Sequence, residues 1–299
     1  MFGKIFGVNK VKEYELISKL FGDTDKLFQS DAQIIEINGQ KWGMTCDSFS
    51  IEEDLFTSDN PYRLGCNLVV ATISDLFASG CKPTFYQHSI VLPKNCDEKW
   101  TFDLVEGIKD TLKKADCILI GGDMGQSEKF SYTGIALGQQ VQNISRIFPK
   151  ITQKLYISGK LGDANEAVLT SQPTPEFELR SIPENALSCI DTSGGFIDAL
   201  WQLHKLNPDF KIDAKDVPVN DIALLFGGAG EYELLFTSDK SEFCGVCENA
   251  ICIGDVIFGD KGVFLNGIKL TQAPPDARNY DNISDYINDI KRMVYGYFG

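Results

Sequence analysis

The sequence predicts an α+β protein of two domains. Its 299 residues are about twice the length of a typical domain. Strand and helix patterns are mixed along the chain, without the strict alternation that is typical of a parallel α/β fold. The pattern breaks near residues 142–154. We place the boundary there, which gives one domain over 1–145 and a second over 146–299.

The elements of the first half follow from local signals. Asn38-Gly39 is a strong hairpin turn signal between two strand patterns. Asn60 is suited to cap a long helix that has Pro61 in its first turn and ends at Gly80. The predicted elements are a helix at 11–21, strands at 33–37 and 41–46, a helix at 61–79, a strand at 84–92, a helix at 98–115, and strands at 116–121 and 130–141.

The second half contains shorter elements. The segment 171–185 carries three prolines and is predicted to be a loop. The tail 281–299 has the pattern of a mildly amphipathic helix, which packing or self-association explains more simply than membrane binding. The other predicted elements are strands at 155–158, 188–191, 232–237, 250–258 and 262–266, and helices at 163–170 and 195–206.

The composition and charge of the chain limit the kinds of molecule that it is expected to bind. Hydrophobic residues make up 43% of the chain and charged residues 23%, as in ordinary globular proteins. The formal net charge of −14 argues against binding to nucleic acid or to an anionic membrane. No apolar run is long enough to span a bilayer, and the start of the chain lacks the pattern of a signal peptide. We therefore expect a cytoplasmic protein.

Cysteine and histidine give little support for a metal site. The nine cysteines are scattered, which favours reduced thiols in apolar surroundings, as at Cys66, Cys117, Cys189 and Cys252. Cys244 and Cys247 form a C-x-x-C pair with no second pair after it, so zinc or redox chemistry is the less favoured alternative there. His88 and His204 are too far apart in sequence to suggest a histidine metal site.

Aspartates provide the stronger candidates. Asp47, Asp123 and Asp191 each end a predicted strand, where a ligand can approach the backbone, although aspartate also caps turns. Asp75 comes four residues after Ala71 and shares the inward stripe of its helix. A buried carboxylate needs a partner, which could be a metal ion; a salt bridge or solvation at the helix end is the alternative. Oxygen ligands without histidine favour Mg²⁺, and hence phosphoryl chemistry.

Several enzyme classes lack their sequence signatures here. The chain has no G-x-x-x-x-G-K-[ST], and no G-x-G-x-x-G follows a strand. The protein-kinase motifs and the G-x-S-x-G nucleophile elbow are also missing. These absences argue against a P-loop enzyme, a Rossmann oxidoreductase, a protein kinase and an α/β-hydrolase.

Motifs read in chain order resemble those of thiamine-monophosphate kinases, which belong to the superfamily of aminoimidazole ribonucleotide synthetase and selenophosphate synthetase. The resemblance covers about residues 13–281. Its pieces are Glu13-Tyr-Glu-Leu-Ile-Ser-Lys-Leu-Phe21, Ser30-Asp31-Ala32, Thr45-Cys-Asp47, Leu64-Gly65 with Thr72-Ile-Ser-Asp-Leu-Phe-Ala-Ser-Gly80, Ile120-Gly-Gly-Asp123, Tyr156-Ile-Ser-Gly-Lys-Leu-Gly-Asp-Ala164, Asp191-Thr-Ser193 and Glu231-Tyr-Glu-Leu-Leu-Phe236.

The resemblance implies an aminoimidazole ribonucleotide synthetase-like fold of two α+β domains, with the N-terminal domain dimerising through a shared β structure. It implies that ATP binds between the domains with several Mg²⁺ ions, and that thiamine monophosphate attacks the γ-phosphate directly. The implied metal ligands are Asp31, Thr45, Asp47, Asp75, Asp123 and Asp191. The implied nucleotide-binding residues are Gly122, Arg146 and Ser193, and the implied acceptor-binding residues are Asp54, Glu231 and Tyr280. Arg146 has the alternative of a solvated loop arginine.

The chain also departs from this pattern. Ser30, Gly194 and Gly230 stand where the pattern has acids. The G-x-H-F segment on the thiamine side reads Glu53-Asp54-Leu55-Phe56, which adds acids and lacks the histidine. Three hypotheses therefore remain open: a thiamine-monophosphate kinase with a variant site, a superfamily phosphotransferase or synthetase with another acceptor, and a non-catalytic relative that binds nucleotide or only dimerises.

Overall fold

The computed structural model describes residues 19–20, 22, 28–51, 54, 60–240 and 250–299. Of the predicted helix 11–21, only residues 19 and 20 fall among these, and both are helical. The Cys244–Cys247 pair lies outside the described residues.

The first sheet has five strands in the order β1-β2-β5-β3-β4. β3 and β4 run parallel, and the other neighbours are antiparallel. Asn38 and Gly39 both have positive φ, as a tight hairpin turn requires, and they join β1 to β2 as predicted. The strands are β1 Gln33–Ile37, β2 Gln40–Ser50, β3 Cys81–Pro93, β4 Ile118–Ser127 and β5 Ser131–Gln140.

The second sheet has seven strands in the order β12-β11-β8-β10-β6-β9-β7. β8 and β11 run parallel, and the other neighbours are antiparallel. The sequence missed β8, which lies inside the sheet, and β12 at its edge. The strands are β6 Gln153–Ile157, β7 Ser188–Asp191, β8 Phe210–Ala214, β9 Leu234–Ser238, β10 Ile251–Phe258, β11 Gly262–Leu265 and β12 Ile268–Leu270.

Five helices pack on these sheets within the described residues. They are α1 Pro61–Ala78, α2 Glu98–Lys114, α3 Asp163–Thr170, α4 Phe196–Leu206 and α5 Ile283–Phe298, with 3-10 turns at Ile222–Phe226 and Ala277–Asn279. The predicted cap of α1 is confirmed, because the Asn60 side chain accepts a hydrogen bond from the Arg63 amide at 3.3 Å. None of the described helices is long and apolar enough to cross a membrane.

Helix α1 joins the two halves of the chain. It contacts β2, β3 and β5 of the first sheet and β7 and β9 of the second. The Asn67 side chain is fully buried; its amide donates to the Pro175 carbonyl at 2.9 Å, and its oxygen accepts from the Phe177 amide at 2.8 Å. Phe177 and Phe236 share one apolar core with Leu68. The predicted loop 171–185 is therefore fixed against the helix that carries Asp75.

Most of the cysteine prediction is confirmed within the described chain. Cys66, Cys117 and Cys189 are buried free thiols. The prediction was wrong for Cys252, which is exposed because its neighbour Ile253 occupies the inward face of β10.

Candidate functional site

Three aspartates meet at the junction between the two halves. Asp31 precedes β1, Asp75 lies near the end of α1, and Asp191 ends β7. One carboxylate oxygen from each lies within 4.8 Å of the others. The Thr45 hydroxyl on β2 donates to Asp75 Oδ2 at 2.5 Å. The structure thus brings together four of the six residues that were predicted to bind metal.

Asp191 is held from both sides. Its Oδ2 accepts a hydrogen bond from the Ser74 hydroxyl at 2.7 Å, and its Oδ1 accepts from the Ser193 hydroxyl at 2.7 Å and the Ser193 amide at 3.2 Å. Asp191 is 3% exposed. The carboxylate therefore links α1 to the loop 192–195 that follows β7. Ser74 was missed by the sequence analysis, and its place beside Asp75 was the available signal.

The cluster is electrostatically strained. Burial raises the pKa of Asp31 to about 6, against the lowering effect of the Arg146 charge and hydrogen bond. Burial and the charges of Asp191 and Asp31 raise the pKa of Asp75 well above its ordinary value. Like charges this close disfavour one another's ionised form. A further cation would relieve this repulsion.

Arg146 supplies the one positive side chain seen to pair with this cluster in the described structure. Its Nε donates to Asp31 Oδ2 at 3.1 Å, and its Nη2 forms an ion pair with Asp31 Oδ1. Burial lowers the pKa of Arg146, but the charge and hydrogen bond of Asp31 outweigh burial and raise it. Arg146 is therefore a built part of the site rather than a solvated loop arginine. Three carboxylates against one guanidinium leave an excess of negative charge.

The donor set fits Mg²⁺ by its chemistry. Carboxylate and hydroxyl oxygens are the ligands that a hard divalent cation prefers. No histidine or cysteine belongs to the cluster. The net negative charge and the raised pKa values give the independent reason to expect a cation among these carboxylates.

Asp47 and Asp54 lie on a neighbouring cavity of about 30 Å³. Tyr132 and Tyr232 also line it, with Thr72 from α1. The Tyr86 hydroxyl donates to Thr72 Oγ1 at 3.1 Å and lies 2.8 Å from the Tyr132 hydroxyl. Asp47 is among the charges that raise the pKa of Asp75, so this acidic cavity adjoins the aspartate cluster.

Gly122 and Asp123 are placed elsewhere, on the outer strand β4. Asp123 is exposed and pairs in register with Ser89 of β3. A Cβ at Gly122 would lie 2.3 Å from the His88 ring, so the histidine occupies the space that a side chain would need. Asp123 does not belong to the 4.8 Å cluster of the described residues.

Glu231 and Tyr280 also lie apart from the cluster. The Glu231 carboxylate accepts hydrogen bonds from the Gly162 amide at 2.7 Å and the Ala164 amide at 2.8 Å, so it caps the start of α3. Burial raises its pKa to about 7 against those hydrogen bonds. The Tyr280 hydroxyl donates to Asp289 at 2.7 Å, and its ring lies edge-on to Tyr286.

Asp198 occupies the space that Gly194 leaves open. A Cβ at position 194 would lie 2.6 Å from Asp198 Oδ2. That oxygen accepts from the Gln202 amide at 2.6 Å, while Gln202 Oε1 accepts from Arg146 Nη1 at 3.3 Å. Neither residue was predicted from the sequence. Their signal was the spacing of four residues between positions 198 and 202, which places both side chains on one face of α4.

One known protein family matches the first half of the chain. The family described as "AIR synthase related protein, N-terminal domain" matches residues 29–140, which include Asp31, Thr45 and Asp75. The resemblance seen in the sequence motifs is thereby confirmed at the level of the superfamily.

Relatives within the superfamily carry more than one name. A thiamine-monophosphate kinase of Archaeoglobus fulgidus is 27% identical over 285 residues, which cover 85% of this chain and 92% of the relative. A putative hydrogenase expression/formation protein of Methanocaldococcus jannaschii is 24% identical over 215 residues, covering 64% of this chain and 63% of the relative.

Solved structures support the fold. A structure described as AaThiL complexed with AMPPCP and TMP has a TM-score of 0.75 at 21% identity, covering 90% of this chain and 98% of that one. The Escherichia coli hydrogenase maturation protein HypE has a TM-score of 0.66 at 19% identity, covering 89% of this chain and 99% of that one. At these identities the likeness establishes the fold, a mixed arrangement of helices on two mixed sheets.

Proposed function

We propose that this protein is an ATP- and Mg²⁺-dependent phosphotransferase that converts thiamine monophosphate to thiamine diphosphate. The observation that carries the proposal is the cluster of Asp31, Asp75 and Asp191 between the two halves of the chain. Full-length relatives named thiamine-monophosphate kinase support the acceptor. The structure complexed with AMPPCP and TMP supports a site of this fold for both substrates.

Asp31, Asp75 and Asp191 would hold the metal, and Thr45, Asp47 and Asp123 are the further ligands that the superfamily resemblance assigns. When bound, Mg²⁺ would neutralise negative charge on the phosphoryl group that is transferred. The chain's own part is to keep these carboxylates converged before substrate arrives. The hydrogen bonds from Thr45 and Ser74 do so at Asp75 and Asp191.

Arg146 and Ser193 border the same carboxylates and serve the nucleotide in this proposal. A planar guanidinium suits bidentate contact with phosphate oxygens. Gly122 would offer backbone without a side chain on β4, where the close approach of His88 already excludes a Cβ. Direct transfer needs positioning and charge stabilisation and no covalent enzyme intermediate, so we assign no nucleophile.

The acceptor would lie toward Asp47 and Asp54, whose cavity adjoins the cluster. Carboxylates in this cavity would attract the positively charged thiazolium ring of thiamine and would repel a phosphate that carries no metal ion. Glu231 and Tyr280 remain proposed acceptor residues. A different acceptor is the second candidate, because the relatives include a hydrogenase formation protein and the chain carries acids where the kinase motif has histidine.

The deciding experiment supplies purified protein with Mg²⁺, ATP and thiamine monophosphate and quantifies thiamine diphosphate and ADP together. Equal amounts of both products support the proposal. ADP without thiamine diphosphate contradicts the acceptor and favours the second candidate. Neither product from folded protein favours the non-catalytic relative.

A matched pair of variants separates the cluster from general acidity. Asp191→Asn should abolish product formation, because it removes a buried carboxylate of the cluster. Asp209→Asn should leave the rate unchanged, because its carboxylate is 63% exposed and pairs with Lys261. Equal activity in both variants would contradict the site assignment.

We further propose that the division at 145/146 is a domain boundary and that the first domain dimerises. The first sheet ends at Gln140 and the second begins at Gln153. Strand β4 is an edge of the first sheet, and Ile118, Ile120 and Met124 on it are each about 60% exposed. An apolar unpaired edge strand favours pairing with another strand. A second copy of the same edge is the proposed partner.

A further inference from the structure

Helix α5 extends the chain beyond the last motif of the superfamily resemblance and is anchored on the second half. Asn282 caps its start by accepting a hydrogen bond from the Asp285 amide at 2.9 Å. Tyr286 and Ile290 are buried, 2% and 7% exposed. Farther along, the rings of Tyr297 and Phe298 pack against Phe226, in the 3-10 turn 222–226. The helix is therefore an integral part of this half.

The Tyr286 hydroxyl reaches the glycine-rich loop 227–230 that follows this turn. It accepts a hydrogen bond from the Gly228 amide at 2.6 Å. On the α3 side, the Asn165 side chain accepts from the Ala229 amide at 3.0 Å and donates to the Ala229 carbonyl at 3.1 Å. The loop is thus held between α5 and α3 by side chains from both helices.

The far face of this loop presses on the loop after β7. A Cβ at Gly230 would lie 2.1 Å from the Ser193 carbonyl oxygen, and a Cβ at Gly195 would lie 2.2 Å from the Gly227 carbonyl oxygen. The two backbones are therefore in direct contact. Ser193 in turn donates two hydrogen bonds to Asp191. A continuous chain of contacts runs from Tyr286 through both loops to a carboxylate of the cluster.

We propose that Tyr286 is a positioning residue for the nucleotide site, acting through loop 227–230 on Ser193 and Asp191. The inference rests on the proposed function only in taking Ser193 and Asp191 as the nucleotide and metal residues. Without the hydroxyl the Gly228 amide loses its partner, and the loop is then held by Asn165 from the α3 side alone, so that it can shift relative to 193–195. The tail helix thereby supports the metal-nucleotide complex without touching it.

The test compares Tyr286→Phe with Tyr297→Phe. Each variant keeps its ring and loses one hydroxyl that accepts a backbone hydrogen bond; Tyr297 accepts from the Thr271 amide at 2.8 Å, away from loop 227–230. The dissociation constant of a fluorescent ATP analogue with Mg²⁺ is measured for both, together with the midpoint of thermal unfolding. We expect Tyr286→Phe to weaken binding about three- to tenfold, the effect of one lost hydrogen bond. Tyr297→Phe should bind as the wild type does.

Amide hydrogen exchange supplies a readout that does not depend on nucleotide. Faster exchange at Gly228 in Tyr286→Phe alone supports the contact chain. Unchanged nucleotide affinity in Tyr286→Phe, or equal weakening in both variants, overturns the positioning role. Failure of the wild-type protein to bind the analogue at all is a different result, because it refutes the proposed function from which the inference starts.

Discussion

Replacing Asp75 by asparagine should have two effects on stability of opposite sign, one without metal and one with Mg²⁺. Asparagine keeps an oxygen that can accept the Thr45 hydrogen bond and removes one charge. Two unit charges 4.8 Å apart repel by about 3 kcal/mol at an effective dielectric constant of about 20. Arg146 offsets part of the repulsion that Asp75 feels from its two neighbours. We therefore expect metal-free Asp75→Asn to be more stable than the wild type by about 1–3 kcal/mol.

Mg²⁺ should cancel or reverse this difference in stability. A ligand at 100 times its dissociation constant stabilises the folded state by about 2.7 kcal/mol, and loss of a ligand carboxylate removes most of that gain. For a chain of this size each kcal/mol corresponds to about 2–4 °C in the unfolding midpoint. The wild-type midpoint should rise with Mg²⁺, whereas that of Asp75→Asn should stay nearly constant.

The assay is thermal unfolding with and without Mg²⁺, followed by circular dichroism. Asp103→Asn is the matched control, since Asp103 lies on the exposed face of α2 and pairs with Lys99. It should keep the wild-type response to Mg²⁺. A full Mg²⁺ shift in Asp75→Asn would refute the metal role. A metal-free Asp75→Asn less stable than the wild type would refute the claim that the carboxylates repel one another.

Three further predictions concern other residues. The pKa of Glu231 is raised from 4.5 to about 7, so the native state binds the proton more tightly and this group's contribution to stability is lost as pH rises from 4.5 through 7. In denaturant titrations, the free energy of unfolding of Glu231→Gln should rise by about 3 kcal/mol relative to that of the wild type between pH 4.5 and 7. A difference between the two proteins that does not change with pH would refute this prediction. Gly194→Asp should cost about 1–3 kcal/mol through collision with Asp198, and Asp198→Ala should recover most of this; additive costs would exclude the contact. Ile120→Lys on the β4 edge should yield monomers by light scattering if the wild type is a dimer, whereas Lys41→Glu on β2 should not; an unchanged mass in Ile120→Lys would exclude this edge.

Elements that are bounded by turn or capping residues could be predicted from the sequence. Elements that depend on pairing with a strand distant in sequence could not. The β1–β2 hairpin and α1 follow from Asn38-Gly39 and Asn60-Pro61, whose conformational preferences act within a few residues. Strand β4 was predicted to end at Gly121, yet it continues to Ser127. Gly121, Gly122 and Asp123 have poor strand propensity, and it is pairing with β3 that keeps them extended.

In the candidate site too, local sequence signals predicted some features and could not predict others. Periodicity placed Asp75 on an inward face, but no local spacing connects residues 31, 75 and 191. Only the order of motifs, through the superfamily resemblance, predicted that they would meet. Strand β8 was missed for a related reason. Its alternation of apolar and charged residues, FKIDA over 210–214, is only five residues long, which is too short to identify a strand from the sequence alone.

The loss of the acid at position 194 does not by itself mean the loss of a carboxylate in that space. Asp198 approaches from the first turn of α4 to within 2.6 Å of the point where a side chain at 194 would begin. Through Gln202 it is also linked to Arg146, which pairs with Asp31 of the cluster. An acid added at 194 would now meet a like charge, so the glycine and Asp198 depend on each other. This edge of the aspartate cluster is therefore altered in sequence, while a carboxylate is kept close to the same position.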